Sequence, residues 1–258
     1  SAPPASAAAD LTLLLHSPTL WVSHSLTSHT CGARTLCKGD GMPIYGDEQR
    51  ALQERFDTSN LAAAFEATIF SETIDDDNRT FIESRDFFFL STVDANGWPT
   101  VSYKGGPVGL VRVVDERTIE FPSYDGNGMH LSMGNIDANA KIGVLFIDME
   151  TPRRLRLQAT ATIIDDEATL AHWPGSQLVV RATVAQTFPN CARYIHQHER
   201  RSTSKYVPDD DGTQPTPAWK RIDMIQPFLP TAQQDLAEQA GGTITGAEYT
   251  ERLANGTS

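Results

Sequence analysis

Asp86–Gly106 reads DFFFLSTVDANGWPTVSYKGG. Phe87–Val93 is a run of aromatic and β-branched residues, the composition of a buried strand. Asn96-Gly97 follows, the strongest short hairpin signal, because both residues tolerate the left-handed backbone that a tight turn needs. Thr100–Lys104 then returns as a second strand. On either side of this hairpin the signal stays β. Leu110–Asp115 and Ile119–Tyr124 flank a short turn, and Lys141–Asp148, Leu155–Ile164 and Ser176–Phe188 are further strand-like runs. The alternation in Leu155–Ile164 suits a strand with one wet face. About six strands at hairpin spacing predict a closed or partly closed antiparallel barrel, mainly β with flanking helices. No regular alternation of strand and helix supports a parallel sheet.

The helices lie mostly before the barrel. Asp47–Phe56 carries Leu52 and Phe56 four apart. Ser59 is placed to N-cap a second helix with Leu61, Phe65 and Ile69 on one face. A polar turn and a short helix ending near Arg85 follow, and Asp165–Trp173 reads as another short helix. Asn190–Glu199 is ambiguous between strand end and helix. Pro208–Pro217 is rich in breakers and reads as an exposed loop. Residues 1–41 are low in complexity and are expected to be a disordered or non-native extension. Residues 42–229 form the expected domain, and 230–258 a flexible tail.

Composition narrows the partners. The 258 residues carry a formal charge of −12. That balance argues against nucleic acid and anionic membrane surfaces, which repel acidic proteins, but leaves room for a small anion held by a local cluster of cations. The three cysteines (Cys31, Cys37, Cys191) fit no zinc ribbon and no redox pair. A reducing cytoplasm is the simplest setting. No apolar run of about 18 residues is present to span a membrane.

The chemistry concentrates in three places. Ser123–Ile136, SYDGNGMHLSMGNI, fails as a dinucleotide fingerprint, since Leu131 stands where the third glycine belongs. It keeps the parts of an anion site: a glycine-permitted turn, a helix start with free N–H groups, and Ser132 and Asn135 on one helix face. In Ser102–Gly106, SYKGG, Ser102 and Lys104 share one strand face and Tyr103 takes the other. In Pro152–Leu157, PRRLRL, Arg154 and Arg156 share a face, and arginine suits phosphate through its forked donors. Read singly, each has an ordinary alternative: a turn and cap, a solvated lysine, a paired surface arginine. His196 and His198 lack the companions of a metal site. Cys191 reads as a small apolar residue more readily than a nucleophile.

Together these segments resemble the pyridoxamine 5′-phosphate oxidase-related family of flavin-binding split barrels, over residues 42–229. The carriers are the hairpin at Asp86–Gly106, the helix pattern SMGNIDANAKIGVLF (Ser132–Phe146), the basic strand at Arg153–Arg156, FPNCARYIH (Phe188–His196) and PAWKRID (Pro217–Asp223). Ala140 stands where the pattern usually has proline. The resemblance implies a bacterial, cytoplasmic homodimer that binds FMN at the subunit interface. It implies cofactor contacts from Ser102, Tyr103, Lys104, Ser132, Asn135, Arg154 and Arg156, with Trp219 and Lys220 near the flavin of the partner subunit. Tyr103 and His130 are candidates for proton delivery. The family's substrate-binding Arg-x-His pair has as its counterpart Arg221-Ile222-Asp223, with aspartate in place of histidine, which argues against oxidation of a B6 phosphate. The implied function is that of an FMN-dependent oxidoreductase acting on a small molecule. Alternatives are a non-catalytic flavin or haem binder and a deazaflavin-dependent reductase.

Overall fold

The computed structural model describes residues 43–257. The reading of residues 1–41 therefore lies outside the described residues. Three helices come first: α1 (Asp47–Arg55), α2 (Ser59–Thr68) and α3 (Asp76–Glu83). Thr58, one residue before the expected Ser59, is the N-cap of α2. In α3 the N-cap is Asp75, whose side chain accepts a hydrogen bond from Asn78 N, and Phe81 and Ile82 are buried. The expected apolar face of α1 stays in water: Leu52 is 52% and Phe56 65% exposed.

Seven strands follow, in the spatial order β2-β1-β5-β6-β7-β4-β3. They are β1 (Phe87–Val93), β2 (Pro99–Gly105), β3 (Arg112–Asp115), β4 (Thr118–Tyr124), β5 (Lys141–Asp148), β6 (Arg153–Ile164) and β7 (Ser176–Asn190). Every pairing is antiparallel. The Asn96-Gly97 turn joins β1 to β2, with Gly97 at φ 84° as a tight hairpin requires. Helix α4 (Leu131–Ala138) sits between β4 and β5, and α5 (Glu167–Leu170) between β6 and β7.

The sheet is strongly curled. Phe88 in β1 and Phe121 in β4 have three strands between them in the order, yet their ring centroids are 5.0 Å apart. A Cβ on Gly106, just past β2, would come within 3.3 Å of the Tyr124 ring at the end of β4. Register shifts at Gln158/Ala159 in β6 and at Ser123/Tyr124 in β4 supply local bends. The result is the split β-barrel that the sequence predicts, with seven strands. Its interior is packed by alternate residues, among them Phe88, Leu90, Phe121, Phe146, Leu155 and Leu157.

Residues 191–217 form no helix or strand. The tail expected after Pro230 carries α6 (Leu236–Gln239) and α7 (Gly246–Ala254). It is anchored by a parallel bridge between Ile222 and Ile244, and both Ala237 and Ile244 are buried. Apolar burial and backbone pairing give this segment defined structure. No described helix is long and apolar enough to cross a membrane.

Candidate functional site

Residues directly opposite in an antiparallel pair share a face of the sheet. Lys104 is opposite Phe88, Ser102 opposite Leu90, and Thr100 opposite Thr92. Phe88, Leu90 and Thr92 are each 1% exposed. Ser102 and Lys104 thus face the barrel interior on the edge strand β2, and each is half-buried. Helix α4 lies against this face. Ser102 Oγ is 3.1 Å from Ser132 Oγ, so the serines of β2 and α4 meet directly.

Asn135, on the same helix face, is committed elsewhere. Its Nδ2 donates to Thr92 Oγ1 at 3.0 Å and to Thr100 Oγ1 at 3.3 Å, and Thr92 and Thr100 bond each other at 2.8 Å. Asn135 therefore pins α4 to the β1–β2 hairpin. The start of α4 is open by contrast. Its N-cap is His130 in the left-handed region at φ 48°, and no side chain caps the first turn. A non-glycine residue held there stores roughly 1 kcal/mol of strain, a feature that clusters at ligand sites.

Lys104 is the charged member of this cluster. Burial pulls its pKa below the ordinary lysine value. Among the described residues it has no salt-bridge partner and no side-chain hydrogen bond. A desolvated cation on the strand face whose serine meets Ser132, on a helix with an uncapped start, suits a phosphate. Tyr124 borders the same end of the barrel, and burial pushes its phenol up to about 12. It therefore stays protonated as a neutral donor. The sequence reading did not single out Tyr124; its place at the last position of a strand, just before the glycine-rich loop, was the available signal.

The remaining predicted residues fall on the other face of the sheet. Tyr103 is opposite Phe89, Phe89 opposite Leu145, Leu145 opposite Arg156, and Arg156 opposite Phe188. Arg154 lies on the same outer face, opposite Ile147 and Asn190. Its Nε and the Asn190 Oδ1 are both buried without a hydrogen-bond partner. Within one protomer, then, Ser102 meets Ser132 and shares its strand face with Lys104, whereas Tyr103, Arg154 and Arg156 lie on the opposite face. Arg153 is separate again, with its guanidinium 4.2 Å over the Phe81 ring.

Tyr103 stacks on Phe87 with centroids 5.4 Å apart. Burial, reinforced by Asp86, raises its pKa. This pair forms one wall of a cavity of about 420 Å³ that also reaches Gly105, Gly106, His198 and Tyr206. Its rim is fixed by two ion pairs of 2.8 Å, Arg85–Asp148 and Arg200–Asp86. Among the described residues no three His, Cys, Asp or Glu converge as a metal-ligand set. Cys191 is exposed, not packed inside. Lys220, expected near a partner's flavin, is engaged within its own chain by Asp125, and Arg221 Nε donates to Gly242 O at 2.9 Å.

The fold is thus a split antiparallel barrel whose β2 edge strand meets the start of α4 through Ser102 and Ser132. A family model described as pyridoxamine 5'-phosphate oxidase matches residues 74–205, about half the chain. The chain belongs to that family. No curated protein matches it. Among solved structures, a putative pyridoxamine 5'-phosphate oxidase from Lactobacillus delbrueckii is 22% identical, with TM-score 0.38, covering 46% of this chain and 95% of that one. A form of HupZ from Group A Streptococcus is 22% identical, with TM-score 0.37, covering 45% and 99%. An FMN-binding protein from Syntrophomonas wolfei is 14% identical, with TM-score 0.33, covering 56% and 97%.

Proposed function

We propose that this protein is an FMN-binding oxidoreductase that acts on a small molecule. The observation that carries the reading is Lys104: a half-buried cation with no anionic partner among the described residues, on the strand face where Ser102 meets Ser132. Leaving such a charge unpaired is costly, and a ligand phosphate would offset the cost. The family membership supports a flavin as its bearer. Bound there, the flavin supplies hydride exchange. The chain's own residues position and shield it. Lys104 and the two serines hold the phosphate, and Asn135 keeps α4 in place. The cavity beside Tyr103 is of a size for a small organic substrate. Tyr103 holds its proton more firmly than a free phenol and is a candidate donor in that cavity.

We further infer a homodimer. The outer sheet face exposes Val101 and Tyr103 at 69% and 62%, beside a shallow apolar cavity of about 470 Å³ lined by Phe89, Leu145 and Phe188. A second copy covering this face would bring Tyr103, Arg154 and Arg156 into the same interface.

The purified protein is expected to be yellow, or to take up added FMN. Lys104→Ala should weaken FMN binding by about 1.5–3 kcal/mol, the range for a hydrogen bond to a charged group. Unchanged affinity in that variant would sink the phosphate assignment. A haem Soret band, or a thermal shift with deazaflavin and none with FMN, would replace FMN as the cofactor.

A further inference from the structure

Asp125 follows Tyr124 directly and opens the glycine-rich loop that leads into α4. Tyr124 lies against Gly106, two residues from Lys104. A carboxylate at this point opposes any phosphate the cradle is to hold. The chain cancels it from 95 residues away, by pairing Lys220 Nζ with Asp125 Oδ2.

This is not an ordinary surface ion pair. The Lys220 side chain is 3% exposed and that of Asp125 35%. A lysine has been taken out of water to meet a carboxylate that keeps some of its own, which is costly unless its setting is built to hold it. The setting is built. Gln226 Nε2 donates to the carbonyls of Lys220 at 2.6 Å and Ile222 at 3.2 Å. Ile244 N donates to Arg221 O and Asp223 N to Ile244 O, each at 2.9 Å. On the other side, Gln177 Nε2 donates to Asp125 Oδ1 at 3.4 Å. Both carboxylate oxygens are therefore engaged, and Asp125 is the one ionic partner of Lys220 among the described residues.

We propose that Lys220 is a positioning residue for the phosphate site. It neutralises Asp125 at the head of the loop that leads into α4, so that affinity for a phosphate-bearing cofactor depends on a segment outside the family-matched residues 74–205. The inference rests on the flavin-phosphate reading above. Its mark is charge specificity: losing Lys220 should harm an anionic ligand and spare a neutral one of the same ring system.

The experiment measures dissociation constants of FMN and riboflavin for the wild type, Lys220→Met, Asp125→Asn and the double variant, at low and moderate salt. Lys220→Met should weaken FMN roughly tenfold at low salt, and less as salt screens the exposed carboxylate, while riboflavin stays within about twofold. Asp125→Asn in the Lys220→Met background should return FMN to within about threefold of wild type. Asp125→Asn alone should leave FMN binding equal or tighter, which keeps the test alive should Lys220→Met not fold. Equal loss of both ligands, absence of rescue, or weaker FMN binding in Asp125→Asn would overturn the inference. Wild-type protein that binds FMN no tighter than riboflavin, with Lys104→Ala changing neither, would instead overturn the phosphate reading, and this inference with it.

Discussion

Lys104, which we propose holds the cofactor phosphate, illustrates how a residue placed for binding can work against the fold that carries it. Burial disfavours its charged form, so its folded pKa lies below the ordinary value of 10.5. Between those two values the unfolded chain holds more protons than the folded one. Stability contributed by this group therefore rises with pH across that window and is least favourable below the folded pKa. Lys104→Met should then raise the melting temperature of the ligand-free protein at pH 7 by about 1–3 °C, and the gain should shrink near pH 10. The same change should abolish the extra stability that FMN gives the wild type. Melting curves at both pH values, with and without FMN, check this; a fall in ligand-free stability at pH 7 would show that Lys104 has a structural partner. Asn135 presents the opposite case. Its bonds to Thr92 and Thr100 make it a fastener. Asn135→Ala should cost about 1–3 kcal/mol in urea unfolding, since it removes both hydrogen bonds that tie α4 to the hairpin, with a smaller effect on FMN affinity than Lys104→Ala.

The hairpin and the strands were legible because their signals are local: a β-branched run, an Asn-Gly turn, an alternation. Over residues 191–217 the breaker-rich Pro208–Pro217 was legible as a loop, but the docking of the connection was not, because it has neither period and packs through backbone contacts. Gly212 shows how closely. At φ +77°, its missing Cβ would stand 2.4 Å from Gly175 N, on the turn before β7. Gly212→Ala should destabilise the protein by at least about 2 kcal/mol, combining left-handed strain with a backbone clash, and should open this connection to proteolysis. An unchanged unfolding midpoint would mean that the contact is loose. The site was half legible for a related reason. Alternation separates Tyr103 from Ser102 and Lys104 within β2, and Arg153 from Arg154 and Arg156 within β6. It cannot say which face of one strand matches which face of another. That follows from register, Phe89 against Tyr103 and Leu145 against Arg156, and it sends the arginines away from Lys104. The pairing of Lys220 with Asp125 has no local signal at all.

An edge strand such as β2 is a template for another chain unless it is covered. Here it presents Val101 and Tyr103 to solvent, and the apolar face continues across β1, β5 and β7 through Phe89, Leu145 and Phe188. With a charge of −12, two copies repel at long range, so their association needs this apolar surface. In a two-fold dimer each substitution counts twice. Val101→Asp would bury two carboxylates without partners, at a cost of several kcal/mol, while leaving the barrel interior and Lys104 untouched. Sedimentation should therefore give a dimer for the wild type and a monomer for Val101→Asp at micromolar concentration, with an unaltered circular dichroism spectrum. If the outer-face Tyr103, Arg154 and Arg156 contribute to the cofactor across the interface, the monomer should also release FMN. A wild-type monomer with full flavin occupancy would defeat the dimer, and a Val101→Asp monomer that keeps its flavin would confine the site to Lys104, Ser102 and Ser132 of a single chain.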